Sequence, residues 1–258
     1  MTAFDPARGG TSLRPIVFSD FDGTITLADV TDEILSQLAS PTWRGIEQLW
    51  TDGKIGSREC LERQLALVET SARELNALID SIPLDPGFPG FVRFVQTSHI
   101  PFVVLSDGLD CVIRRVLAHA DLHLRPRNGS QFFSTSGRLV KGRMRISFPH
   151  AADSCTHGCA TCKPQIMRTL KRGHWPVIYA GDGLSDRHAV EEADFVYARQ
   201  PLLNLCRQKE IPCHPFETFD DLERALERWL DNKSAYELRA AARGRAAWLK
   251  EQEVEAPL

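Results

Sequence analysis

VFSDFDGTIT, residues 17–26, decides how the chain is read. Apolar and β-branched residues lead into two aspartates, Asp20 and Asp22, one residue apart. Aspartate is a poor strand former, and neighbouring carboxylates repel. A buried strand that ends in both therefore calls for a compensating cation or a shared proton.

Working outward, Pro15 to Ser19 reads as a short buried strand. Helical apolar spacing follows at Val30, Ile34, Leu35 and Leu38, then at Ile46, Leu49 and Trp50 until Gly53. Ser57–Leu67 and Ser71–Ile82 read as two more helices, each opened by a serine able to cap. Pro83, Pro86, Gly87, Pro89 and Gly90 then mark a boundary between lobes. A helix is expected at 91–97, a buried strand at 101–105 and a helix at 111–119. Residues 122–149 carry Asn128-Gly129 and Ser136-Gly137, which predict short antiparallel strands joined at those dipeptides. Further on come a helix at 164–170, strands at 176–179 and 195–197, and helices at 202–208 and 222–230.

Strands alternating with helices imply an α/β fold, a Rossmann-like parallel sheet with helices on both faces. Ligands of such sheets sit at the carboxyl ends of the strands. Asp20, Asp22, Ser106 and Asp182 all follow predicted strands, so they should meet at one edge. The expected division is a flexible tail at 1–12, a core at 13–27 and 86–232, an inserted helical lobe at 28–85, and a C-terminal helix or tail at 233–258.

Two strand-end aspartates with Asp182 form an oxygen-rich set suited to Mg²⁺. The cation would also let a phosphate approach a carboxylate. The Ser106 hydroxyl and a Lys163 ammonium would complete the parts that phosphoryl transfer needs.

Asp20-Phe21-Asp22-Gly23-Thr24, Ser106, Lys163 and Gly181-Asp182-Gly183-Leu184-Ser185-Asp186, in that order, resemble the four motifs of haloacid dehalogenase superfamily phosphatases. The resemblance implies Asp20 as nucleophile and Asp22 as general acid and base. It implies phosphate binding around Thr24, Ser106, Asp107, Gly108 and Lys163. Asp20, Asp182 and the backbone carbonyl of Asp22 would hold Mg²⁺, with Asp186 orienting the metal's waters or Lys163. The insert after residue 27 resembles the helical cap of the phosphoserine phosphatase group. DFDGTITLADVTDEIL, the cysteine loop running into Lys163-Pro164, and YARQPLLNLCRQKEIPCHPF are similar to the 2-hydroxy-3-keto-5-methylthiopentenyl-1-phosphate phosphatases of methionine salvage. The chain departs from the phosphoserine enzymes where Gln64 stands near their cap arginine and Asp29 replaces their glutamate, which lowers the expectation of phosphoserine as substrate. Trp43, Trp50, Arg44, Glu47, Arg58 and Arg63 are the cap residues where specificity should reside.

The loop SCTHGCATCKP carries Cys155, His157, Cys159 and Cys162, a spacing able to ligate structural zinc, although reduced thiols are the favoured reading. Cys60, Cys111, Cys206 and Cys213 are expected in packing roles. Seven cysteines cannot all pair within one chain, and residues 1–12 lack a signal-like apolar run, which together predict a cytoplasmic protein. A net charge of -3 without a basic block predicts no nucleic-acid partner and no membrane surface. The expected partner is a small phosphate monoester, and no sequence feature sets the oligomeric state. A non-catalytic phospho-acceptor domain would be smaller, with neither the insert nor Asp22.

Overall fold

The structure is a computed structural model that describes residues 15–124, 129–171, 173 and 175–231. The expected tails at 1–12 and 233–258, and Asn128, lie outside the described residues. Six strands are parallel: β1 (Ile16–Ser19), β2 (Phe102–Leu109), β3 (Ser130–Val140), β5 (Val177–Gly181), β6 (Phe195–Ala198) and β7 (His214–Pro215). With β4 (Arg143–Ser147), antiparallel to β3, they form one sheet of order β4-β3-β2-β1-β5-β6-β7.

The central strands are buried along their length because both faces are covered. Alternate residues supply the two faces. Val17, Phe102, Val104, Ile178 and Ala180 join one core cluster. Ile16, Phe18, Val103, Leu105, Val177 and Tyr179 join the other. The first face is covered by α5 (Phe88–Thr97), α6 (Asp110–His119) and α9 (Phe219–Asp231), whose Phe88, Phe91 and Phe219 meet Phe102 in an aromatic cluster with centroids 4.9–6.0 Å apart. The second is covered by α7 (Lys163–Leu170) and α8 (Leu202–Gln208), through Met167, Leu202, Leu203 and Cys206.

Four helices are inserted between β1 and β2: α1 (Val30–Leu38), α2 (Trp43–Thr51), α3 (Ser57–Leu65) and α4 (Ala72–Asp80). Entry and exit of the insert run side by side, with Thr26 bridged to Leu84, Leu27 N–H donating to Pro83 O and Asp85 N–H donating to Ile25 O. Gly53 ends α2 with φ +72°. Ser71 caps α4 reciprocally with Glu74, as its sequence predicts. Ser57 does not cap α3. The N-cap is Gly56, and the Ser57 hydroxyl instead accepts from Ala160 N–H on a distant loop.

The hairpin also differs from the sequence expectation. Gly137 lies inside β3, and the turn falls at Lys141-Gly142, both with positive φ. Gly137 is required by close approach, because a Cβ there would stand 2.7 Å from Leu109 Cδ2. β2 runs four residues past the expected end, with a register shift between Leu105 and Leu109 that lets Ser106–Gly108 leave the regular ladder.

Candidate active site

Three chain segments meet at the carboxyl edge of β1, β2 and β5, and α7 supplies a fourth. Asp20 follows β1 directly, and its backbone N–H donates to Ala180 O on β5. Lys163 opens α7 and is 2% exposed. Its ammonium donates to Asp20 Oδ1 at 2.8 Å and Asp186 Oδ1 at 2.7 Å, with Ser185 Oγ at 3.3 Å. Asp186 sits in the 3₁₀ turn Leu184–Asp186 and is fully buried. It also accepts from the Tyr179 hydroxyl at 2.5 Å and from the backbone N–H groups of Asp182 and Gly183. Asp186 is thus saturated and fixes Lys163.

Asp22 faces away from this pair. Its Oδ2 accepts from Ser106 Oγ at 3.1 Å and its Oδ1 from Val30 N–H at 3.1 Å, which ties it to the start of the insert. Burial pushes the Asp22 carboxyl up to about 6, against the lowering effect of those two donors. Thr24 is buried, and its hydroxyl donates to Asp182 Oδ1 at 2.7 Å. Asp182 is pushed up to about 7 by burial and by the Asp186 carboxylate. Burial and Asp186 also hold Asp20 well above the usual carboxylate range, although Lys163 opposes them. Burial alone would lower the Lys163 ammonium, but Asp186 and Asp20 reverse that and raise it.

Two glycines make the arrangement possible. Gly23 has φ +71°, and a Cβ on it would strike the Asp182 carboxylate. A Cβ on Gly108 would strike the Asp22 carboxylate. Gly108 N–H donates to Ser106 Oγ at 2.8 Å and so orients the hydroxyl toward Asp22. The Asp107 side chain turns the other way, its Oδ1 accepting from Thr161 N–H at 2.8 Å.

Carboxylate oxygens of Asp20, Asp182 and Asp186 lie within 4.8 Å of one another. These are hard donors, and Asp20 and Asp186 share the ammonium of Lys163. Because Asp186 is saturated, Asp20 and Asp182 are the pair that fits a divalent cation such as Mg²⁺. The cysteine loop offers no comparable set. His157 stacks on His188 with ring centroids 3.7 Å apart. No three ligand atoms of Cys155, His157, Cys159 and Cys162 come within 4.8 Å of one another.

In the insert, Gln64 is buried and donates to Glu47 at 2.8 Å, while Trp43 is buried beneath Arg44. Arg63 pairs with Glu59 on an exposed face. Trp50 lies under the Arg187 guanidinium, and Arg58 N–H donates to Gly158 O, so the end of α2 and the start of α3 touch the loops of the sheet edge.

Sequence reading missed Arg199, which follows β6 at the same edge. It donates to the backbone carbonyls of Gly23 and Thr24 and pairs with fully buried Asp85. Its position directly after a strand was the available signal.

A sequence profile of the family described as Putative Phosphatase matches residues 15–234. The chain is 32% identical over 217 residues to the 2-hydroxy-3-keto-5-methylthiopentenyl-1-phosphate phosphatase of Geobacillus thermodenitrificans, covering 83% of this chain and 96% of that one. It is 33% identical over 220 residues to the enzyme of the same name from Geobacillus kaustophilus, with the same coverage. Among solved structures, it is similar in fold to a phospho-aspartyl intermediate analogue of phosphoserine phosphatase. That match has a TM-score of 0.62 and 16% identity, covering 83% of this chain and 98% of that one. A haloacid dehalogenase family hydrolase from Salmonella enterica serovar Typhi matches with a TM-score of 0.61 and 22% identity, covering 81% and 70%. With the profile spanning nearly all described residues, the chain belongs to the putative phosphatase family and is built on the haloacid dehalogenase fold.

Proposed function

We infer that the chain hydrolyses a small phosphate monoester through an aspartyl-phosphate on Asp20. The leading candidate is 2-hydroxy-3-keto-5-methylthiopentenyl-1-phosphate, the substrate in its relatives' names. The observation that carries this reading is the placement of two buried acids on different hydrogen-bond partners. Asp20 is held by a buried lysine, while Asp22, two residues on, is held by neutral donors and pushed up to about 6. That difference in partners supports attack by Asp20 and proton transfer by Asp22.

In the first step Asp20 attacks phosphorus as the bond to the leaving oxygen breaks. Asp22, protonated, gives its proton to that oxygen. In the second step Asp22 takes a proton from water as the water oxygen attacks phosphorus, which releases inorganic phosphate and restores Asp20. Lys163 lies on Asp20 and stabilises the charge of the transferring group, with Ser106 holding Asp22 in line. Asp20, Asp182 and the backbone carbonyl of Asp22 would hold Mg²⁺, which would supply charge neutralisation at the phosphoryl oxygens.

Residues 28–85 act in this reading as a cap that excludes water during the first step. Gln64, near the position of the phosphoserine enzymes' cap arginine and with Arg63 and Arg58 close by in sequence, is engaged by Glu47, which weighs against the carboxylate grip of phosphoserine. The seven cysteines are all free thiols, which supports a reducing, cytoplasmic setting. Phosphate release should be measured with and without Mg²⁺ across the salvage intermediate, phosphoserine, phosphocholine and phosphoethanolamine. Mg²⁺-dependent release fastest on the salvage intermediate and absent in Asp20→Asn is expected. Release that survives in Asp20→Asn would sink the mechanism, and a different best substrate would replace the leading candidate.

A further inference from the structure

The geometry points to a latch: Asp107 on the sheet edge and Ser57 on the inserted helices together set the segment that carries Lys163, which makes both of them positioning residues for phosphoryl transfer. This rests on the phosphatase reading above and deepens it, by saying how seating of the insert reaches the buried cation.

Two hydrogen bonds hold adjacent amides of one segment, one from each side of the interface. Ala160 N–H donates to Ser57 Oγ at 3.0 Å. Asp107 Oδ1 accepts from Thr161 N–H at 2.8 Å, and burial raises the Asp107 carboxyl while the nearby Ser57 hydroxyl lowers it. Ala160 and Thr161 are buried, and Lys163 N–H donates to Thr161 O at 2.8 Å, so the anchored peptide leads within two residues to the lysine.

The contact is also backbone on backbone. Arg58 N–H donates to Gly158 O at 3.0 Å, and a Cβ on Gly56 would strike the His157 and Gly158 carbonyls. Ser57 stands where a serine would ordinarily serve its own helix, yet its hydroxyl is spent on the opposite lobe. Were the insert to lift, the buried Ala160 N–H would lose its acceptor. A buried amide left without a partner is unfavourable, so the segment 158–162 would rearrange. Lys163 would then be set correctly only when the site is closed to water. Asp107 lies next to Ser106, so the same strand end orients Asp22 on one side and the lysine segment on the other.

The test compares Ser57→Ala, Ser57→Thr, Asp107→Asn and the Ser57→Ala/Asp107→Asn double variant with the full-length wild type. Measurements are steady-state kinetics with Mg²⁺ on p-nitrophenyl phosphate, thermal melting, and hydrogen exchange of the 156–163 peptide. Ser57→Ala should lower kcat about 10-fold, with KM within about twofold, because the acceptor of the buried Ala160 N–H is lost. Ser57→Thr should recover most of the rate. The double variant should be no slower than Asp107→Asn alone, since both release the same segment. Exchange across 156–163 should quicken in Ser57→Ala. A folded Ser57→Ala at wild-type kcat, or additive losses in the double variant, overturns the latch. If Asp107→Asn does not fold, the Ser57→Ala and Ser57→Thr pair decides alone. If the wild type releases no phosphate, the phosphatase reading falls, and exchange then judges the latch: quickened supports it, unchanged overturns it.

Discussion

At the scale of single residues, the site is governed by a shortage of positive charge. Asp20 and Asp186 share one ammonium, and Asp182 has the Thr24 hydroxyl in place of a cation. Asp20 is therefore held well above its ordinary range, first by burial and then by Asp186. The sign follows from linkage. A carboxyl raised on folding favours the fold while protonated, and this contribution is lost as pH rises through the folded value. At neutral pH and without Mg²⁺, Asp20→Asn should melt no lower than wild type, while kcat falls more than about 10³-fold. A melting temperature several degrees lower would show that the Lys163 ion pair outweighs the crowding. Gly108→Ala is the complementary test. Its methyl would collide with the Asp22 carboxylate and displace the group proposed as proton donor. Displacement of a catalytic group by about 1 Å costs on the order of 10²-fold in kcat, with melting changed far less. An alanine variant at wild-type rate would remove Asp22 from the chemistry.

Between elements, the site is held by contacts that cross long stretches of sequence. Asp85, at the end of the insert, is fully buried and accepts from Gly87 N–H, Phe219 N–H and Arg199. Arg199 in turn holds the carbonyls after Asp22. Asp85→Ala would leave a mostly buried guanidinium short of its partner and should cost about 3 kcal/mol in urea unfolding. A loss under about 1 kcal/mol would show that the pair is dispensable. The loop–core contact at His157 and His188 predicts a pH response. Burial and His157 push His188 down to about 4. Its neutral form is favoured by the fold, so this contribution is complete above the unfolded value of about 6.5 and is lost as pH falls toward 4. Stability should fall over that window less steeply in His188→Gln, and equal slopes would refute the assignment. These contacts also explain what the sequence could not convey. Asp20, Asp22, Ser106 and Asp182 could be picked out as candidates because each follows a predicted strand, and Lys163 because it precedes a predicted helix, whereas Asp186 entered through the resemblance to the haloacid dehalogenase motifs. Arg199, Asp85, Tyr179 and Ser57 could not be picked out, since their partners are remote in the chain. Gly137 was misread as a turn because a glycine required by Leu109 looks in sequence like one required by φ, while the real turn hides behind Lys141. The two-residue β7 carries too few residues for a period.

Across the whole molecule, the sheet order places β1 between β2 and β5, so the carboxyl edge gathers acids from segments more than 160 residues apart in sequence. Asp20 and Asp182 enter from adjacent strands that are parallel and in register at Ser19 and Ala180. A cation bridging them would therefore tie β1 to β5 at the loops that complete the site. The unfolded chain has no such pair, so binding energy becomes folding stability. At Mg²⁺ about 100-fold above its dissociation constant, the gain is about 2.7 kcal/mol. For a chain of this size that corresponds to a rise in melting temperature of roughly 5–10 °C. Asp182→Asn should abolish most of the Mg²⁺ shift, because a carboxylate ligand is lost from the pair. The same substitution removes a buried carboxyl pushed up to about 7, so the metal-free variant should melt at or above the metal-free wild type. Calorimetry of both proteins with EDTA and with Mg²⁺ gives four values, and their pattern separates the two effects. A Mg²⁺ shift of equal size in wild type and Asp182→Asn would place the ion elsewhere, while the raised Asp182 carboxyl would still follow from its burial and from Asp186.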